Sequence, residues 1–238
     1  MEPIAAARNL RLALAPLTFS PPVTHTYNVL EYAFEPYTRY CRRWARRDGG
    51  QTLLLGMNPG PWGMAQTGIP FGEVGAVRDW LAIEAPIGKP AREHPKRPVE
   101  GLACTRSEVS GARLWGWARE RFGAPDAFFE RFWVVNYCPL IFLEDSGRNR
   151  TPDKIPAAER TPMIDACDEH LRRVVRYLKP RMVVGVGAFA EQRARLALAD
   201  GFPGLEFGRI LHPSPASPAA NKDWGGKAEA ELRGLGVL

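Results

Sequence analysis

Four stretches of this chain are apolar without alternation. Residues 51–56 carry three successive leucines after Gly49 and Gly50, and residues 132–138 are aromatic and β-branched. Residues 181–187 follow a proline and hold Val183, Val184 and Val186, and residues 207–211 form a weaker fourth run. A strand covered on both faces has no polar side, so continuous hydrophobicity predicts parallel pairing inside a covered sheet.

Between these runs the apolar period changes to three or four. Over residues 156–177, Ile164, Cys167, Leu171 and Val174 share one face and Leu178 extends it, with Arg172, Arg173 and Arg176 elsewhere on the wheel. That spacing predicts a helix facing a core, ended by Pro180. Residues 188–198 predict another, starting directly after Gly187. Residues 74–83, 113–122 and 227–235 are shorter candidates. Residues 28–47 predict a helix broken or kinked near Pro36. Residues 10–17 are apolar but contain Arg11 and Pro16, and they read as a short packed helix, although a transit peptide is an alternative. Alternating strands and helices predict a three-layer α/β/α fold around a four-stranded, mainly parallel sheet. No repeat or linker divides the chain, so residues 1–238 are expected to form a single domain.

Composition changes this picture little. A chain of 238 residues suits one such domain, and 45% hydrophobic with 24% charged residues is ordinary for a globular protein. Charge narrows the partners. Lys plus Arg is 32 against 26 acidic residues, a net +6. That surplus is compatible with a polyanion such as DNA, or with nothing more than a solvated surface. Cys41, Cys104, Cys138 and Cys167 lie far apart without CxxC spacing, so no zinc or iron–sulfur pattern is readable and an intracellular, reduced setting is expected. No apolar run approaches the ~18 residues of a membrane span.

The candidate chemistry falls at strand ends, where open parallel sheets bind ligands. Asn58 follows the first strand, Asn136 ends the second, Gly185 and Gly187 end the third, and His212 ends the fourth. Gly56, Gly60, Gly63, Gly68 and Gly72, with Pro59, Pro61 and Pro70, make a tight loop whose amides can face a ligand. Phe71 within it either packs into the core or stacks on something bound. Asn136 interrupts an apolar strand. It is either a satisfied structural amide or one that reads a pyrimidine edge. His212 precedes Pro213, Ser214, Pro215, Ala216, Ser217 and Pro218, and that rigid loop favours a functional histidine over a structural one. Residues 86–106, with Pro86, Pro90, Pro95 and Pro98, form a long irregular loop that is either functional or a flexible insertion.

Residues 56–74, Gly-Met-Asn-Pro-Gly-Pro-Trp-Gly-Met-Ala-Gln-Thr-Gly-Ile-Pro-Phe-Gly-Glu-Val, and residues 212–224, His-Pro-Ser-Pro-Ala-Ser-Pro-Ala-Ala-Asn-Lys-Asp-Trp, resemble the signature segments of the single-strand-selective monofunctional uracil-DNA glycosylases. That family is a branch of the uracil-DNA glycosylase superfamily. Residues 136–140 and 184–190 fit as well, so the resemblance spans roughly residues 20–230. It implies hydrolysis of the N-glycosidic bond of uracil in single- and double-stranded DNA, at the start of base excision repair. By resemblance, Asn58 holds the attacking water. His212 binds uracil O2 as charge develops, helped by the Met57 amide. Asn136 reads the base edge, Phe71 stacks on the flipped base, and Met64 also lines its pocket. Gly60 leaves room near C5, which implies that 5-hydroxymethyluracil is a substrate too.

The loop Pro213, Ser214, Pro215, Ala216 would enter the duplex as a wedge. Well-known members carry an arginine where this chain has Ala216, a departure that bears on intercalation and on efficiency with double strands. Ser110 and Gly111, with Arg113 beside them, and the Gly187 turn are candidate phosphate contacts. No lysine lies in the pocket motifs, which implies a monofunctional enzyme without a Schiff base, and no metal or cofactor is implied. The expected enzyme is a monomer without membrane attachment, cytoplasmic if bacterial and nuclear if eukaryotic. Three other readings compete. The first is a related glycosylase for xanthine or hypoxanthine, and the second is a DNA-binding module without catalysis. The third is a nucleotide-binding α/β enzyme, for which both GxGxxG and a Walker sequence are missing.

Overall fold

The structure, a computed structural model, describes residues 2–238. Its helices are α1 (Glu2–Leu14), α2 (Val29–Tyr32), α3 (Phe34–Trp44), α4 (Met64–Thr67), α5 (Val109–Phe122), α6 (Pro125–Phe129), α7 (Ala157–Leu178), α8 (Ala188–Leu198) and α9 (Trp224–Gly234). Its strands are β1 (Val23–Asn28), β2 (Thr52–Gly56), β3 (Phe132–Asn136), β4 (Leu140–Glu144), β5 (Asn149–Arg150), β6 (Met182–Val186) and β7 (Glu206–Ile210). The four apolar runs are the four strands of one sheet, ordered β3-β2-β6-β7 with every neighbour parallel. Helices flank it, which makes the fold the expected three-layer α/β/α type. β3 and β6 are buried along their whole length, the physical reason their sequences show no alternation.

A second sheet was not expected. β1, β4 and β5 pair antiparallel in the order β1-β4-β5, with Asn28 opposite Leu140 and Val23 opposite Glu144. β1 is Val-Thr-His-Thr-Tyr-Asn, too polar to stand out as a strand. Its partner lies more than a hundred residues away, so the local pattern carries no trace of the pairing.

Two helical expectations change. Residues 74–83 do not form an α-helix: Ala76–Trp80 is a π-helical turn, closed by the Leu81 amide on the Ala76 carbonyl at 2.9 Å. The Glu73 carboxylate takes the Ala76 amide at 2.8 Å, so the turn starts from a side-chain cap tied to the preceding loop. In residues 28–47 the break falls at Ala33 (φ −122°, ψ 36°), three residues before Pro36. Pro36 sits inside the first turn of α3, where its missing N–H has no helical partner to lose. The N-terminal helix is longer than expected and packs on α7 through Ala7, Leu10 and Leu14.

Residues 86–106 are an anchored segment and not a loose insertion. The Gly88 amide donates to the Tyr32 carbonyl at 2.7 Å, and buried His94 donates its amide to the Tyr27 hydroxyl. The Tyr27 hydroxyl in turn donates to the Arg97 carbonyl at 2.8 Å.

Candidate active site

The carboxyl ends of β2, β3, β6 and β7 open onto one place, because parallel strands in one sheet all end on the same edge. Gly56 and Asn136 are paired in register there. A side chain at Gly56 would collide with the Asn136 Oδ1 and come within 2.6 Å of the Phe71 ring. Glycine at this position is therefore what lets Asn136 and Phe71 approach each other across the strand end.

Asn136 is 6% exposed. Its Nδ2 donates to the Met64 sulfur at 3.2 Å, while its Oδ1 is buried with no hydrogen-bond partner within the protein. The sulfur accepts and cannot donate, so it fixes which end of the amide is which. One N–H and the whole carbonyl oxygen remain for a ligand. That pair complements a uracil edge, with O4 as acceptor and N3–H as donor. It is the wrong way round for cytosine. An unpaired buried amide oxygen costs ~1–3 kcal/mol, a cost that a bound base would remove.

Asn58 is oriented from the second sheet. Its Nδ2 donates to the carbonyl of Leu140, the first residue of β4, at 3.2 Å. The amide oxygen thereby faces away from β4 as a free acceptor. Met57 between them is half-buried, and its carbonyl takes the Cys138 amide at 2.9 Å, which closes the turn onto the end of β3.

His212 follows β7 by two residues. Its Nδ1 accepts the Ser214 amide at 3.0 Å, so in the neutral ring Nε2 carries the proton. Burial holds its pKa below the usual histidine value, which keeps the ring neutral at pH 7. The Phe71 ring centroid is 6.3 Å from that of His212. Phe71 has φ +53°, a conformation costly for a bulky residue. The Thr67 hydroxyl on the Gly72 carbonyl (2.9 Å) and the Gly72 amide on the Ile69 carbonyl (2.8 Å) hold the turn in place.

The remaining candidates lie around this centre. Gly111 is buried in the first turn of α5, its Cα against the Phe71 carbonyl, and Ser110 beside it is half-buried. Gly187 (φ +93°) begins α8 next to His212. Pro213 is buried, Ser214 half-buried, and Pro215 and Ala216 are exposed. Arg113 donates to the Pro213 carbonyl and the Asn221 Oδ1, each at 2.9 Å, so its guanidinium braces the loop from α5.

The candidates named from the sequence leave out several residues that hold the site. Glu108 fills the direction in which a Gly60 side chain would point, and it accepts the Trp62 amide at 3.2 Å. Burial raises its pKa, opposed in part by that hydrogen bond. Gln66, fully buried, donates to the carbonyls of Pro61 and Pro98, both at 2.9 Å. Its Oε1 accepts the amides of Glu100 and Gly101 at 2.8 and 3.2 Å. Asn149 of β5 donates to the Pro59 carbonyl at 2.9 Å. Only the polarity of Gln66 within an apolar motif could have flagged any of them.

The arrangement can stack a planar base, pair with a pyrimidine edge, donate a hydrogen bond from a neutral imidazole and present an amide acceptor to water. Comparison with known proteins agrees with that chemistry. The sequence pattern of the Uracil DNA glycosylase superfamily matches residues 48–233. The single-strand selective monofunctional uracil DNA glycosylase of Bos taurus is 52% identical over 225 residues, covering 94% of this chain and 82% of that protein. The protein so named in Mus musculus is 49% identical over 249 residues, covering 100% and 89%. Among solved structures, wild-type SMUG2 of Pedobacter heparinus superposes with a TM-score of 0.66 at 16% identity, over 97% of this chain and 98% of that one. That last likeness is one of fold.

Proposed function

This chain belongs to the uracil DNA glycosylase superfamily, and from that premise we propose that its pocket takes a flipped uracil from DNA and hydrolyses its bond to the sugar. The enzyme is a monofunctional DNA glycosylase, and DNA is its substrate. The observation that carries the base assignment is the Asn136 amide, held in one orientation by Met64 with its oxygen unpaired.

The reaction starts with heterolysis. The C1′–N1 bond breaks, its electron pair leaves with the base, and the sugar becomes an oxocarbenium ion. The His212 Nε2–H donates to the base oxygen O2, where the negative charge grows. A neutral donor suffices because the leaving anion is already delocalised. The Asn58 Oδ1 accepts from a water and aims it at C1′. An amide is too weak a base to deprotonate that water, so it works by position after the bond has broken. The water proton is lost to solvent once the C1′–O bond has formed, leaving an abasic site.

5-Hydroxymethyluracil is supported by the absent side chain at Gly60, although Glu108 stands in the direction that side chain would have taken. Action on both strand types rests on an exposed loop after His212. A single-domain enzyme is supported by the larger of two apolar clusters, which runs from Ile4 to Leu232, and an intracellular setting by four buried free cysteines. Among the described residues no helix is long and apolar enough to cross a membrane.

The test is release of base from single- and double-stranded oligonucleotides carrying uracil, 5-hydroxymethyluracil, thymine, xanthine or hypoxanthine, followed by alkali to cut abasic sites. Uracil should be released and thymine retained. Release of xanthine or hypoxanthine without uracil would overturn the base assignment.

A further inference from the structure

A basic groove is lined by Trp62 of the Asn58 loop and by the segment 95–106. Its volume is about 460 Å³, and its walls include Trp62, Lys96, Arg97, Glu100 and Arg106. The Arg106 guanidinium carbon lies 4.5 Å from the Trp62 ring centroid, and that of Arg97 lies 5.3 Å from it. Among the described residues neither arginine nor Lys96 has a carboxylate within ion-pair distance. Glu100 on the wall reduces the local charge without cancelling it. The Arg97 Nε is buried and unpartnered.

Two guanidinium groups share one indole and repel each other, and Lys96 on the same wall donates to the Asp145 carbonyl at 3.4 Å and, among the described residues, to no carboxylate. The repulsion is relieved by an anion. Both guanidinium groups lie over the indole, so a base would stack on it by displacing one of them towards its own phosphate, and alternating cations and aromatic faces is how proteins hold unpaired nucleotides. Position supports the same occupant. Trp62 is four residues from Asn58, at most about 15 Å along the backbone. The groove is also rigid relative to the pocket, because Gln66 joins the Pro61 and Pro98 carbonyls.

We infer that this groove is a second nucleotide subsite, in which Trp62 stacks an unpaired base beside the flipped one while Lys96, Arg97 and Arg106 hold its phosphates. The inference rests on the reading of the pocket as a DNA site. A base still paired in a duplex cannot offer its face to Trp62, so the subsite favours single strands. The short side chain of Ala216, which offers little to prise a duplex apart, points the same way.

The experiment is fluorescence anisotropy of the full chain with a uracil-free single strand and its duplex over a series of potassium chloride concentrations. Uracil release is followed in parallel. The variants are Trp62→Ala, Arg106→Ala and, as a control at the far edge of the sheet, Arg131→Ala. Trp62→Ala should weaken single-strand binding roughly tenfold, the scale of one lost stacking contact, and duplex binding much less. Arg106→Ala should lower the slope of log affinity against log salt by about 0.7 on single strands. Arg106 is exposed and lacks a carboxylate partner, so its variant reports even if Trp62→Ala disturbs the loop. An unchanged affinity and slope in Arg106→Ala would overturn the subsite. So would equal losses on duplex, which would leave only backbone attraction. If the slope changes as expected while the unaltered protein releases no uracil, the groove stands and the glycosylase reading falls.

Discussion

The two loops that carry Asn58 and His212 are built to different standards. Residues 57–73 are tied from every side: Asn149 holds Pro59, Glu108 holds Trp62, Gln66 holds Pro61, and the Tyr32 hydroxyl holds the Ala65 carbonyl at 2.8 Å. Residues 63–72 are all buried. The loop after His212 is anchored at its ends. The Trp224 indole donates to the Leu211 carbonyl at 2.7 Å, and Arg113 takes Pro213 and Asn221. Between them Pro215 and Ala216 stand exposed. A pocket proposed to discriminate bases by two hydrogen bonds tolerates little movement, whereas a loop proposed to meet DNA must yield to it.

The comparison breaks most visibly at the chemistry itself. Asn58→Ala and His212→Ala should each lower single-turnover uracil release by roughly 10²–10³-fold, the usual cost of losing one transition-state hydrogen bond. Near-full activity in either would remove that loop from the reaction. The next largest effect should separate the loops by stability. Gln66→Ala strands the amides of Glu100 and Gly101, and should cost about 3 kcal/mol and lower Tm by roughly 6–12 °C. An unchanged melting curve would mean that the first loop does not depend on its stitching.

Arg113→Ala should do the reverse. It frees the second loop without emptying a buried site, so Tm should hardly move while duplex cleavage falls about fivefold, as for a hydrogen-bond loss near 1 kcal/mol. Equal losses on single and double strands would contradict a duplex-facing role.

Acid should also separate the loops. His212 titrates below the usual histidine value because burial disfavours its charged form. Protonation puts a hydrogen on Nδ1, which then faces the Ser214 N–H and loses its bond. Activity should stay within about twofold from about pH 7.5 down to about pH 6.5, the ordinary histidine value, and its acid fall should come at lower pH. The acid limb should vanish in whatever activity His212→Asn retains. Stability adds a background from buried His170, whose pKa is lowered to about 4, first by burial and then by Arg173. Its folded pKa lies below the unfolded one, near 6.5. Stability is therefore complete above about pH 6.5 and declines towards about pH 4, by about 3 kcal/mol in all. His170→Leu should flatten that decline in a melting series.

Period and punctuation were enough for the architecture of the central sheet. Its strands are short covered runs, and a run is a local property of the chain. α7 and α8 were readable for the same reason, since each ends at a Pro or starts at a Gly. The candidate side chains were also named from local motifs: Asn58 and Phe71 from the glycine-rich loop, His212 from the proline loop. Tertiary structure decided how those side chains are held. The Leu140 carbonyl that orients Asn58 lies 82 residues away, and the Met64 sulfur that orients Asn136 lies 72 residues away. The sheet that supplies Leu140 depends on a polar strand with a distant partner. Glu108, pressed on Gly60, and the Trp62–Arg106 stack likewise arise from segments that meet only in the fold. Hydrogen-bond direction and burial are properties of contacts between distant segments, and residue order sets such contacts only through the whole packed structure.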